Sequence, residues 1–192
     1  MLNHSVEAAL LKALPVHSVG KLETFPYNTH EEFVRAIRER QVEVMTAFDV
    51  GALVALGGSG EKVLHYALTW SPFLVAIGSV IAAVKLSNWS LILGIPLALV
   101  GMSLSSPVFM RNIGIWLNRV LTAVMIYFLY RGSVISALLV LSYLGPNFLC
   151  HVARHHCRLV LVRAAEESEL VTVWLFSKGS LLAVARSSSV GS

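Results

Sequence analysis

Apolar residues run almost without interruption through the middle of the chain, whereas both ends mix apolar with charged positions. No residue carries a formal charge between Lys62 and Lys85, or between Lys85 and Arg111. A helix needs about 20 residues to cross a hydrocarbon core about 30 Å thick, so each interval has room for one transmembrane helix. The pattern predicts four spans, near residues 65–86, 89–105, 113–130 and 133–149.

Only Arg131 and Gly132 separate the third predicted span from the fourth. Helices joined by so short a connection lie antiparallel. The sequence therefore predicts an all-α membrane protein, with four transmembrane helices as two helical hairpins and with amphipathic helices before and after. The predicted parts are a cytoplasmic amphipathic helical region (1–62), a four-helix transmembrane domain (63–150), and a cytoplasmic basic and amphipathic helix with a disordered tail (151–192).

The N-terminal region is predicted to form two helices. Asn3 can cap a short one, which Pro15 stops. Thr29 and Glu32 have capping-box spacing, in which the hydroxyl accepts a backbone N–H and the carboxylate returns to the cap. Apolar residues then recur every three or four positions, which predicts one amphipathic helix reaching Leu56. These apolar positions are Phe33, Ile37, Val44, Phe48, Ala52 and Ala55.

A last amphipathic helix is predicted from Glu166 to Lys178. Acidic residues at its start and the lysine at its end complement the backbone dipole. Gly179 is the expected C-terminal cap, because glycine readily adopts the left-handed conformation found there. Residues 187–192 are rich in serine and are predicted to be disordered.

The chain has a formal net charge of +4, and the excess of basic residues lies in its apolar middle. Residues 1–61 hold five basic and eight acidic side chains, and residues 166–192 hold two and three, so both flanks are mildly acidic. Residues 62–165 hold eight basic side chains and no acidic one. Nucleic-acid binding needs a solvent-facing basic surface, so this distribution argues against it.

The loops of the predicted four-span domain differ in charge. Cytoplasmic loops carry an excess of Lys and Arg, so the more basic side is assigned to the cytoplasm. One side would receive only Lys85 and Arg131. The other would receive both termini, together with Lys62, Arg111, Arg154, Arg158 and Arg163. The sequence thus predicts a multi-pass membrane protein with both termini cytoplasmic.

The densest set of metal-ligand side chains follows the last predicted span: Cys150, His151, His155, His156 and Cys157. On a helix, His151 and His155 share a face, so a soft metal could use them together with Cys157. The spacing matches no zinc signature. No metal site is therefore predicted, and His151, His155 and Cys157 are only weak candidates. The favoured interpretation is a helix whose histidines and arginines face lipid phosphates beside cysteines that act as small apolar residues, and a cysteine that carries a lipid is a further alternative.

Arg119 is the one charged residue in the interior of a predicted span, since Lys85 lies at the end of the first, and Asn118 adjoins it. A charge at membrane depth costs about 2.5 to 3.5 kcal/mol on insertion scales, which makes it a functional candidate. No acidic residue of the apolar segment can pair with it. Either Arg119 is structural and reaches the headgroups, or the pair makes an intramembrane polar contact. A polar stripe on the same helix face comprises Asn112, Trp116, Arg119 and Thr122.

Small residues recur at the spacing that allows helices to approach closely, at Gly78 with Ala82 and at Gly94 with Ala98. They predict packing within the chain or between chains. The sequence contains no phosphate-binding glycine loop, HExxH motif or nucleophile elbow, and no catalytic residue is assigned.

The function predicted from these features is a structural or accessory subunit of a membrane complex. An oligomeric transport or permeation component is the alternative, and a membrane metal-binding protein or enzyme is the third. The expected partners are the lipid bilayer and other membrane subunits or further copies of the chain. No nucleic acid and no cofactor are expected.

Overall fold

A computed structural model describes residues 4–105 and 113–185, which are mostly helical. Two compact units divide the chain. Met1–Lys62 and His156–Ser192 form one, which we call the flank unit, and Val63–His155 forms the other, the central unit. The prediction treated the two flanks as separate regions, whereas the structure joins them in one unit.

Nine α-helices and two strands occur within the described residues. The helices are α1 (His4–Ala13), α2 (His30–Arg38), α3 (Val50–Leu56), α4 (Ser59–Thr69), α5 (Ser71–Lys85), α6 (Gly94–Leu104), α7 (Ile115–Tyr130), α8 (Val134–Glu167) and α9 (Glu169–Ser177). The strands are β1 (Val42–Thr46) and β2 (Leu181–Ala185), and short 3-10 turns cover Val19–Lys21 and Trp89–Leu93. The mostly helical fold class is confirmed, while the strands were not predicted.

The helix predicted from Thr29 to Leu56 is wrong in its middle. The capping box is present, with the Glu32 N–H donating to the Thr29 hydroxyl. However, α2 ends at Arg38, and Arg40 takes a left-handed backbone conformation (φ 58°) that stops the helix. The following segment alternates buried and exposed residues and forms β1. Asp49 then caps α3.

The two strands pair antiparallel, from Val42 opposite Ala185 to Thr46 opposite Leu181. Val42, Val44 and Leu181 point inward and are buried. They join the core of the flank unit, in which aromatic rings pack edge to face around Phe25, 5.1 Å from the centroids of Phe33 and Phe176. The flank unit therefore has an apolar interior built from both ends of the chain.

The C-terminal helix begins later than predicted. Glu166 and Glu167 end α8, and Ser168 separates them from α9. Gly179 has φ 71°, and the next amide donates to the Leu175 carbonyl, so the predicted glycine cap is confirmed.

Four transmembrane helices are not supported. By length and composition, α8 could cross a membrane, and α4 with α5 gives a second candidate if the pair, bent by 44°, is one span. Two shorter apolar helices cover Trp89–Leu104 and Ile115–Tyr130. Because α7 has 16 residues, it extends about 24 Å, less than a full hydrocarbon core. The multi-pass assignment with both termini cytoplasmic depended on four spans and is likewise not supported.

Several predicted features lie outside the described residues. They are the cap at Asn3, the basic loop residue Arg111, Asn112 of the polar stripe, and the tail at 187–192.

Candidate functional site

The central unit has an unusual distribution of polarity. Its buried residues include several polar ones: His65, Ser71, Ser79, Ser105, Ser142 and Asn147. Its buried apolar residues are mostly small, such as Ala83, Ala98 and Ala137. Large apolar side chains lie instead on its surface, where Leu74 is 66% exposed and Trp116 is 69% exposed. Polar groups therefore face inward, and apolar groups face outward.

The inward side of α6 consists of Gly94, Ala98 and Gly101, all buried. A Cβ atom at Gly101 would lie 2.4 Å from the Tyr143 carbonyl oxygen, so glycine alone allows this approach to α8. A Cβ atom at Gly94 would likewise lie within 3.0 Å of the Ser79 and Ser142 hydroxyl oxygens. The predicted small-residue pair Gly94 and Ala98 thus packs within the chain, whereas the surroundings of Gly78 are open.

Asn147 links three helices of the central unit. It is fully buried in α8, and its Nδ2 donates to the Gly101 carbonyl oxygen of α6 at 2.9 Å. Its Oδ1 accepts a hydrogen bond from Nδ2 of Asn118 in α7 at 2.8 Å. Asn118, one of the two polar residues singled out in the sequence, thus bonds to Asn147, which sequence reasoning missed. The sequence offered one indication of Asn147, because its side-chain amide lies next to Pro146 within an otherwise apolar segment.

Arg119 and Asn118 line an open groove of about 450 Å³ between α7 and α8. The other lining residues are Ile115, Thr122, Phe148 and His151. Arg119 is exposed, and its guanidinium carbon lies 5.9 Å from the ring centroid of Trp116. The central unit contains no Asp or Glu, so it offers no carboxylate to this arginine. We call this surface the Arg119 groove.

A second groove of the central unit, about 430 Å³, has a different chemistry. Its lining consists of Val75, Gly78, Ser79, Ala82, Leu91, Leu138, Leu141, Ser142 and Gly145. Both serine hydroxyls donate to carbonyl oxygens of their own helices, to Val75 and Leu138 respectively. This surface presents apolar groups and no charge.

The three weak candidates for metal ligands, His151, His155 and Cys157, have different surroundings. His151 and His155 are exposed, while Cys157 is buried, with its thiol 3.8 Å from the Asp49 carbonyl oxygen. Within residues 4–105 and 113–185, no three His, Cys, Asp or Glu side chains are grouped so that they could hold a metal ion. Of the three candidates, only His151 reaches the Arg119 groove.

Asp49 is the centre of a polar cluster in the flank unit. Its carboxylate lies 2.7 Å from Lys178 Nζ, accepts from the Ser180 hydroxyl at 2.6 Å, and caps α3 through the Ala52 N–H at 2.9 Å. Burial raises the pKa of the carboxyl, but these donors and the lysine charge outweigh it and lower the pKa to about 2. Both carboxylate oxygens of Asp49 already accept hydrogen bonds from these residues, which indicates a structural role.

A small polar pocket of about 270 Å³ also lies in the flank unit, where Glu61 Oε1 and Arg163 Nη1 are 3.4 Å apart. The other oxygen of Glu61 accepts from the Gly58 N–H at 2.8 Å. The Arg163 side chain is 68% exposed, so this ion pair belongs to the surface.

No protein-family model matches the chain, and no curated protein or solved structure is significantly similar to it. The function must therefore be argued from the two units themselves.

Proposed function

We propose that this chain is an integral membrane protein that serves as a structural or accessory subunit of a membrane complex. In this proposal the central unit is embedded in the bilayer, and the flank unit stands in water and contacts partner subunits. The observation that carries the proposal is the inward polarity of the central unit.

Lipid explains that distribution better than water does. In water, exposed Leu, Ile and Trp side chains cost free energy, whereas in hydrocarbon they are solvated. Hydrocarbon also offers no hydrogen bonds, so backbone and hydroxyl groups must find partners inside the protein. The buried serines and Asn147 meet this requirement through carbonyl oxygens. Small residues on α6 supply the close helix contacts that replace a large apolar core.

The length of the helices limits how the central unit would be embedded. We propose α8, and α4 with α5, as the elements that cross the bilayer, with α6 and α7 inserted beside them. Basic residues near the ends of membrane helices are more frequent on the cytoplasmic side. Lys62, Arg158 and Arg163 belong to the flank unit, which favours a cytoplasmic position for it.

Membrane extraction tests the embedding. Membranes from cells that express the full chain are washed with alkaline carbonate and then with detergent. We expect the protein to stay in the pellet after carbonate and to dissolve in detergent. Complete release by carbonate would contradict embedding of the central unit.

The role as a subunit needs a separate measurement, which is the native mass of the detergent-extracted protein and the identity of whatever accompanies it. We expect a stoichiometric complex with another membrane protein. A defined homo-oligomer without such a partner would contradict the accessory role and favour the transport alternative. Solute flux in reconstituted vesicles then tests that alternative.

A further inference from the structure

We propose that the Arg119 groove binds the phosphate of an anionic membrane lipid, with Arg119 and His151 as the phosphate contacts. This inference rests on the proposed embedding of the central unit. It assigns a ligand class to a groove whose lining joins a cation to apolar side chains.

The charge of the central unit favours a phosphate ligand. An arginine in a bilayer needs an anion or water, and no residue of the central unit is acidic. A lipid phosphate is the anion that every membrane supplies at high density. The guanidinium fits it well, because its planar N–H groups can donate two parallel hydrogen bonds to phosphate oxygens. An anionic headgroup adds a net charge that a zwitterionic one lacks, so it complements Arg119 better.

The positions of Arg119 and His151 along their helices suit a lipid headgroup. Arg119 lies twelve residues before Arg131 at the end of α7, about 18 Å of helical rise. His151 lies eighteen residues after Ser133 on the returning helix, about 27 Å of rise. Helical side chains lean toward the N-terminus, so the long arginine stem extends from its own level toward that of His151. With the turn at one face of a hydrocarbon core of about 30 Å, the side chains of Arg119 and His151 both approach the opposite headgroups.

The remaining lining of the groove suits the rest of a lipid molecule. The Thr122 hydroxyl donates to the Asn118 carbonyl oxygen at 2.7 Å, and the Asn118 side chain donates to Asn147. These internal bonds fix the shape of the groove. Ile115 and Phe148, exposed beside the polar residues, offer apolar contact to an acyl chain. A free phosphate ion would use none of this apolar surface, so we commit to a lipid.

The test measures lipid retention by the full chain reconstituted in nanodiscs that contain equal amounts of phosphatidylglycerol and phosphatidylcholine. After transfer to mild detergent, native mass spectrometry counts the lipids that remain bound. We expect the wild type to retain phosphatidylglycerol in preference to phosphatidylcholine, and Arg119→Gln to lower the retention about tenfold, as expected for one charged hydrogen-bonding group. His151→Gln should have a smaller effect, and Arg119→Lys should keep part of the preference.

Arg131→Gln is the matched control, since it removes the same charge from the other end of the same helix pair. It should leave the preference unchanged. Equal losses from Arg119→Gln and Arg131→Gln would overturn the proposal, because the effect would then be one of net charge. A wild type that retains both lipids equally would also overturn the proposal. Displacement of the lipid by excess inorganic phosphate would overturn it too, because it would indicate a site for a free anion.

Insertion of each variant is measured in the same samples, so the two proposals can fail separately. A wild type that inserts in nanodiscs but shows no lipid preference leaves the embedding intact and removes the lipid site. A wild type that does not enter nanodiscs overturns both. Circular dichroism of Arg119→Gln confirms that its helices are retained; if they are lost, Arg119→Lys and His151→Gln decide the outcome.

Discussion

The flank unit and the central unit are both mainly helical, but they bury opposite kinds of side chain. The flank unit encloses large apolar residues such as Phe33, Leu53 and Leu161, each with no exposed surface. The central unit encloses small and polar residues and exposes leucine, isoleucine and tryptophan. All eleven acidic residues of the chain belong to the flank unit. The contrast is the one expected if the central unit lies in lipid and the flank unit in water, as we propose.

The difference shows that helix content alone does not reveal the environment of a domain. In water, fully burying a large apolar side chain stabilises a fold by about 1.5 to 3 kcal/mol. In lipid that gain disappears, and helix contacts depend on close packing and internal hydrogen bonds. Truncating equivalent residues in the two units should therefore have unequal effects.

The largest effect is expected for Phe33→Ala, because this ring is completely buried in the aromatic cluster of the flank unit. The free energy of opening of the flank unit should fall by about 3 to 5 kcal/mol. Phe73→Ala is the matched control in the central unit, where the side chain is 49% exposed, and it should cost less than about 1 kcal/mol. Hydrogen exchange followed peptide by peptide in nanodiscs reports each unit separately. Equal losses of stability in the two variants would contradict the contrast between the two units.

Gly101→Ala should have the next largest effect, this time in the central unit. The new methyl group would meet the Tyr143 carbonyl oxygen of α8, so the two helices must separate, at about 1 to 3 kcal/mol. Gly78→Ala makes the same change where no atom lies within 4 Å, and it should be nearly neutral. Thermal unfolding in detergent ranks the two variants. A Gly101→Ala protein as stable as the wild type would mean that small residues do not hold the central unit together.

Asp49→Ala should destabilise the flank unit by about 1 to 2 kcal/mol, because it removes the cap of α3. Asp49→Asn, which keeps a capping oxygen without the charge, isolates the ionic part. The folded-state pKa of about 2 lies below the ordinary value of 3.8. The charge therefore stabilises the folded state above pH 3.8, and this contribution is lost as the pH falls through about 2. Hydrogen exchange of α3 peptides across that window should show the loss in the wild type and not in Asp49→Asn.

Local features of the fold were predictable from the sequence, and nonlocal ones were not. The capping box at Thr29 and the glycine cap at Gly179 follow from short-range chemistry, and the structure has both. The sheet was missed because residues 42–46 pair with 181–185, which are far away in sequence, and the apolar spacing of β1 also suited a helix. Pairing with β2 in the folded chain favours the strand over the helix at residues 42–46.

The candidate site was also only partly predictable. A charge or an amide in an apolar segment draws attention to Asn118 and Arg119. Asn147, which bonds to Asn118, and His151, which lines the groove with Arg119, come from the antiparallel return of α8, which no residue spacing encodes. A metal site in the His and Cys cluster would need neighbours along one helix to act together, whereas His151 and His155 are exposed and Cys157 is buried.

The smallest effect is expected for Arg163→Gln, which breaks the ion pair with Glu61 in the flank unit. The arginine side chain is 68% exposed, so water and salt screen the pair, and its loss should cost about 0.5 kcal/mol or less. The same substitution at Arg119 removes a cation that we place in the bilayer, where an unscreened charge interacts far more strongly. Arg163→Gln should therefore leave both lipid retention and the exchange rates of the flank unit nearly unchanged, and added salt should reduce even the small difference. A large effect of Arg163→Gln on flank-unit exchange would show that the pair is shielded from water, and the contrast between the two units would then need revision at this pocket.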